Sequence, residues 1–232
     1  MSGFLRQKTV AVLGGTSGIG RAVALAAAEA GAQVYVLGRS SAQPGPWQSV
    51  HADVTDLYSL CNAFASIGQV DHLVLTAGAR VGSPKLADAT RDDLRHAFDV
   101  KLFGNLLAVQ QALPYLSADA SITFTTGLLS RKYGAGGLLK STVNAALEAA
   151  ARNLAKELAP RRVNAVSPGV VDTELWGEAD AESRKAAMAR IASGLPLGRV
   201  GRPQDLAQAY LFAMGNVFLT GAVLDVDGGG LL

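Results

Sequence analysis

The sequence predicts a doubly wound α/β fold, a parallel sheet with helices on both faces, and two observations carry that prediction. Short apolar runs alternate with helix-forming segments along the chain, and the first run opens through a glycine-rich turn into an alanine-rich segment. Residues 9–13 are apolar and end in Gly14, and residues 21–30 are rich in alanine, a strong helix former, before Gly31 stops the helix. The run 34–37 then closes a βαβ unit, whose strands are parallel and whose crossover is right-handed. Further strands are predicted over 49–52, 72–76, 121–126, 163–167 and 223–226. Between them, Thr55 is expected to cap a helix running to about Ser66, Thr90 to cap another through Val109, and residues 141–158 read as a third. Strands separated by helices in this way require a sheet covered on both faces. The segment 40–48, with Pro44, Gly45 and Pro46, reads as a loop inside one domain spanning residues 1–232.

Composition narrows the function. A chain of 232 residues with 49% hydrophobic content has enough apolar material for a substantial core. Its formal charge of +2, with the basic residues scattered, lacks the stripe that a nucleic-acid partner requires. Apolar stretches are cut by Gly, Arg or Pro short of the roughly 20 residues of a membrane helix, so no membrane partner is expected. Cys61 is the only cysteine and the N-terminus lacks the pattern of a secretion signal, which together fit the cytoplasm. His51, His72 and His96 show no metal-ligand spacing with one another or with Cys61, so no metal is expected.

The turn GGTSGIG, from Gly14 through Ile19 to Gly20, sits where a dinucleotide pyrophosphate lies against a helix N-terminus. Gly14 and Gly18 permit tight turning and close backbone approach, Gly20 lets the helix pack near the strand, and Thr16 and Ser17 offer hydroxyls. A ligand-free β-to-α turn is the competing reading; the position at the head of a βαβ unit favours the dinucleotide. At the end of the second strand, an acidic residue would accept hydrogen bonds from an unphosphorylated ribose. Here Gly38, Arg39 and Ser40 stand instead. A guanidinium pairs bidentately with phosphate, so the expected cofactor is NADP(H); Arg39 as a solvated loop residue is the alternative.

With these landmarks the chain resembles the short-chain dehydrogenase/reductase family over essentially its whole length. Asp53 and Val54 match that family's adenine-contacting pair, and Thr76, Ala77 and Gly78, followed by Ala79, resemble the end of its Asn-Asn-Ala-Gly motif. RVNAVSPGVVDT, residues 162–173, looks like its strand and Pro-Gly turn, and LTGAVLDVDGG, residues 219–229, like its C-terminal strand. The resemblance implies a Rossmann-type fold, a small-molecule substrate, and contacts from Pro168, Gly169, Val171 and Thr173 to the nicotinamide half and the pyrophosphate. It also implies that the two long helices pack across a two-fold axis into a homodimer or homotetramer.

The resemblance fails at the residues that do the family's chemistry. Where it has an Asn, FDVKLFG places Lys101; where it has a Ser, ITFTTG places Gly127; and its Tyr-x-x-x-Lys pair falls on Lys140 and Asn144. The helix segment NAALEAAARNLAKEL fixes that register, since taking Tyr133 as the tyrosine puts Gly137 at the lysine. A lysine also carries a proton, and its pKa of about 10.4 falls when it is desolvated or set beside another cation. Lys140 and Lys101 are therefore the candidate acid-base residues; contact with cofactor oxygens or solvent is the other reading. Trp176 is expected either on a mobile lid or over a core edge, and Ser130, Arg131 and Tyr133 to shape a pocket. The predicted function is NADP(H)-dependent hydride transfer between nicotinamide and a small carbonyl or alcohol. A noncatalytic NADP(H)-binding protein is the alternative, and an isomerase or lyase a third reading.

Overall fold

The computed structural model describes residues 3–78, 81–178 and 181–232. Strands β1 (Thr9–Leu13), β2 (Gln33–Gly38), β3 (Gln48–His51), β4 (Val70–Leu75), β5 (Leu116–Thr125), β6 (Arg162–Pro168) and β7 (Val223–Val226) form one seven-stranded sheet. Their order is β3-β2-β1-β4-β5-β6-β7, and every neighbouring pair is parallel. Each predicted strand is present. β5 starts earlier than expected, at Leu116, where it pairs with Val70 ahead of a register shift before His72.

Burial on both faces is visible strand by strand. In β1, Ala11 and Leu13 enter one core with Leu60 and Phe64 of helix α2 (Leu57–Ile67), Ala108 of α4 (Gly104–Ala112), and Leu147 of α5 (Leu138–Glu157). Val10 and Val12 point the opposite way, against Val23 of α1 (Gly18–Glu29) and Leu206 and Tyr210 of α7 (Pro203–Gly215). Alternate residues of one strand thus feed two cores, as a doubly wound sheet requires. All six residues of β4 are buried.

Two helix expectations need correction, and two helices are added. Asp56, not Thr55, caps α2, its carboxylate accepting from the backbone N–H groups of Tyr58 and Ser59; Thr55 is drawn to Asp53 instead. Thr90 does cap a helix, reciprocally with Asp93, but α3 (Arg91–Phe98) passes into a π-helical turn (Asp99–Phe103) before α4. Helices α6 (Glu182–Ala192) and α7 were not anticipated, although Pro203 at the first turn and Asp205, accepting from Arg202 N–H at 2.7 Å, are ordinary start signals.

Candidate active site

The chain reverses its winding between β1 and β4, so the loops at their carboxyl ends diverge and leave a crevice there. Gly14 has φ +85°, and a Cβ on it would lie 2.6 Å from the backbone nitrogen of Ala77. A Cβ on Gly20 would strike the Gly14 carbonyl and the Thr76 hydroxyl, so glycine there lets α1 start against the sheet. Ser17 occupies the N-cap of α1 in extended conformation but makes no side-chain cap bond, which leaves its hydroxyl available. Thr16 packs its methyl against Gly38, and Gly18 and Ile19 begin the helix.

A carboxylate already sits at this helix N-terminus. Glu174, just past β6, accepts from Gly18 N–H at 3.1 Å and lies 3.8 Å from the Arg21 guanidinium. Thr173 beside it is buried, its methyl facing Gly18. Trp176 donates its indole N–H to the Val171 carbonyl at 3.1 Å and keeps 43% of its surface exposed, so it rests on the edge of the core. Val171 itself is core, and Gly169 is packed where a Cβ would come within 2.6 Å of the Asp227 backbone; Pro168 ends β6.

Arg39 and Ser40 are exposed at the end of β2. Thr55 donates both its backbone N–H and its hydroxyl to Asp53, at 2.9 and 2.8 Å, and holds that carboxyl below its usual pKa; nearby Arg39 pulls the same way. Val54 is buried against Gly104 and serves packing. Ala77 and Gly78 follow β4 beside Gly14, and Ala79 lies outside the described residues.

At the ends of β4 and β5 the structure joins three of the four residues that replace the expected Asn, Ser, Tyr and Lys. The Lys101 ammonium is enclosed, donating to the Thr126 carbonyl at 3.0 Å and to Asn144 Oδ1 at 2.6 Å. Burial, reinforced by repulsion from Lys140, lowers its pKa to about 8. Asn144 in turn lies so close to Gly127 that a Cβ there would be 2.9 Å from Nδ2. A serine at 127 would require the Asn144 amide, which orients Lys101, to shift. Lys140 stands apart, half-buried, with its ammonium donating to the Ser83 hydroxyl at 2.8 Å.

Asn105 escaped the sequence reading. It is 2% exposed and donates from Nδ2 to the Lys101 carbonyl at 2.7 Å and the Ala77 carbonyl at 3.1 Å, tying the π turn to the end of β4. Nothing local in the sequence marks it, because its partners come from the turn geometry. Of the expected pocket residues, Ser130 is buried and donates to Glu148 at 2.5 Å. Arg131 is consumed by Asp225, on which both terminal nitrogens converge, and by Ser167 at 3.2 Å; Tyr133 is exposed. Among the described residues, no three His, Cys, Asp or Glu side chains come together as a metal site.

A glycine cradle at the switch point, with an enclosed lysine across the same sheet edge, places this chain in the class of nucleotide-binding α/β proteins. Known proteins sharpen that class. Residues 14–230 match a family model described as enoyl-(acyl carrier protein) reductase. A short-chain dehydrogenase/reductase of Stachybotrys chlorohalonatus is 32% identical over 98% of both chains. Carbonyl reductase family member 4 of Danio rerio is 33% identical over 94% of this chain and 95% of its own. A crystal structure of a small-chain dehydrogenase in complex with NADPH superposes with a TM-score of 0.85 at 40% identity, covering 97% of this chain and 98% of that one. The chain belongs to the short-chain dehydrogenase/reductase family.

Proposed function

We propose that the protein is an NADP(H)-dependent oxidoreductase that interconverts a carbonyl and an alcohol, with Lys101 as the proton-transfer residue. The observation that carries this reading is the enclosed Lys101 ammonium, held on Thr126 and Asn144 at the carboxyl end of the sheet, with a pKa of about 8. A general acid works best when its pKa lies near the operating pH, and an ordinary lysine is too weak an acid. The reductases and dehydrogenases among its relatives support catalysis over binding alone.

The cofactor fits the residues present. Gly14 and Gly20 admit backbone where side chains would collide, Ser17 has an unused hydroxyl, and the N-terminus of α1 faces the cradle. Arg39 and Ser40 suit a 2′-phosphate, and the relative solved with NADPH points the same way. NADPH held there would supply a hydride for the carbonyl carbon and would be released as NADP+. As the C=O π pair moves onto oxygen, Lys101 gives that oxygen a proton and recovers one from solvent. Asn144 keeps the ammonium oriented, and the Lys140 ammonium is close enough to repel it.

The cofactor assignment is tested by nicotinamide fluorescence. NADPH is expected to bind at least about tenfold more tightly than NADH, a difference of about 1.4 kcal/mol, and Arg39→Ala to abolish that ratio. An unchanged ratio in the variant would remove Arg39 from phosphate recognition. Assembly as a homodimer or homotetramer in the cytoplasm completes the proposal. Half-exposed Leu94, Phe103 and Leu138 around α3, the π turn and α5 supply an apolar face for it, and light scattering reads the mass.

A further inference from the structure

Among the described residues, the lysines at the site lack a countercharge. Lys8, Arg131, Arg184 and Arg199 each rest on a carboxylate, whereas buried Arg162 is satisfied by the carbonyls of Ala213, Leu219 and Met214. Among the described residues no carboxylate oxygen lies within 4.0 Å of Lys101 or Lys140, although the two ammoniums are close enough to repel. Thr126 O and Asn144 Oδ1 are neutral acceptors that solvate the Lys101 charge without cancelling it. Two ammoniums close enough to repel are both relieved by an anion seated near them. The cofactor phosphates do not fill that role, since their seat is the N-terminus of α1 and the Arg39 loop. Lys140 donates to Ser83 Oγ at 2.8 Å, so the serine accepts there and keeps its own proton to donate. An ammonium and a hydroxyl on adjacent elements make a two-donor seat for a carboxylate.

We propose that the substrate is an oxo acid, its carboxylate on Lys140 and Ser83 and its reacting carbonyl oxygen on Lys101. The proposal rests on the reading of Lys101 above. It deepens that reading by assigning Lys140 to recognition of a negatively charged substrate. A neutral aldehyde or ketone would leave the Lys140 charge uncompensated, with the Ser83 hydroxyl as its neutral partner.

The test is calorimetric titration of the whole protein, with and without NADP+, using pyruvate, acetoacetate and levulinate beside their methyl esters. At least one acid is expected to bind about tenfold or more tightly than its ester. Lys140→Gln should bring that acid-to-ester ratio to about one, Ser83→Ala should lower it by less, and Lys140→Arg should retain most of it. Equal affinities for acid and ester, no binding of any acid, or a ratio that survives Lys140→Gln would overturn the proposal. NADPH titration of the same preparation separates the two readings. Tight NADPH binding without acid preference refutes the substrate class alone, whereas acid preference without NADPH binding refutes the reductase reading.

Discussion

Replacing Asn144 should move the pH dependence of turnover in a direction set by the new side chain. Asn144 Oδ1 accepts from the Lys101 ammonium at 2.6 Å and offers nothing comparable to the neutral amine, so it favours the protonated lysine. A hydrogen bond to a charged group contributes about 1.5–3 kcal/mol, and 1.36 kcal/mol corresponds to about one pH unit. Water entering the space vacated in Asn144→Ala recovers part of this. The net expectation is a fall of about one unit in the pKa of Lys101 from its value of about 8. Because the acid must be protonated to act, the rate falls as pH rises through that pKa, and the alkaline limb in Asn144→Ala should lie near pH 7. Asn144→Asp places a carboxylate against the ammonium and should carry the limb above pH 8, opposite to the alanine variant. Steady-state NADPH consumption across the pH range reads both limbs. If both variants keep the wild-type limb, Lys101 is not the titrating acid.

Three further outcomes follow from other parts of the molecule. Gly20→Ala sets a methyl against the Gly14 carbonyl and Thr76, and should cost about 1–3 kcal/mol of stability together with most NADPH affinity; urea unfolding and fluorescence titration measure the two losses. Glu174→Gln removes the negative charge from the N-terminus of α1, where the cofactor's own anion is to sit, and NADPH should bind about two- to fivefold more tightly; weaker binding would mean that the carboxylate assists the cofactor. His72 is buried beside Ser121, and burial lowers its pKa from 6.5 to about 4. The unfolded chain therefore binds more protons between those values, so stability is intact above about pH 6.5 and falls by about 3 kcal/mol by pH 4. His72→Gln should lose that share of the slope in urea midpoints.

The sheet was legible because its signal is local. Runs such as VAVL and VLG need only alternation and bounding glycines to declare themselves, and the glycine cradle is a contiguous motif whose steric reasons the structure repeats at Gly14 and Gly20. Helix ends were harder. Thr55 and Asp56 are both good caps, and the choice between them depended on Asp53 competing for Thr55. The sequence singled out Lys101, Gly127 and Asn144 separately, but what joins them is contact between distant segments. Asn105 and Glu174 were invisible for the same reason, since Asn105 reaches the Ala77 carbonyl and Glu174 the Gly18 N–H only through tertiary structure.

The π turn between α3 and α4 is a splice in one helical rod. An α-helix advances about 100° per residue, so the extra residue accommodated by a wide turn rotates everything beyond it by roughly that angle relative to an uninterrupted helix. The stretch from Arg91 to Ala112 therefore runs in two phases. Thr90 and its cap set the first, and Ala108 and Val109, fixed in the core beneath the sheet, set the second. Lys101 lies in the seam, where both phases must agree before its ammonium meets Thr126 and Asn144. Asn105 is the staple, taking up the Lys101 carbonyl through its side chain. Lys101 is thus placed by a count of residues as much as by their identities: deleting Val100 or Leu102 would leave a smoother helix with the lysine turned away from its partners.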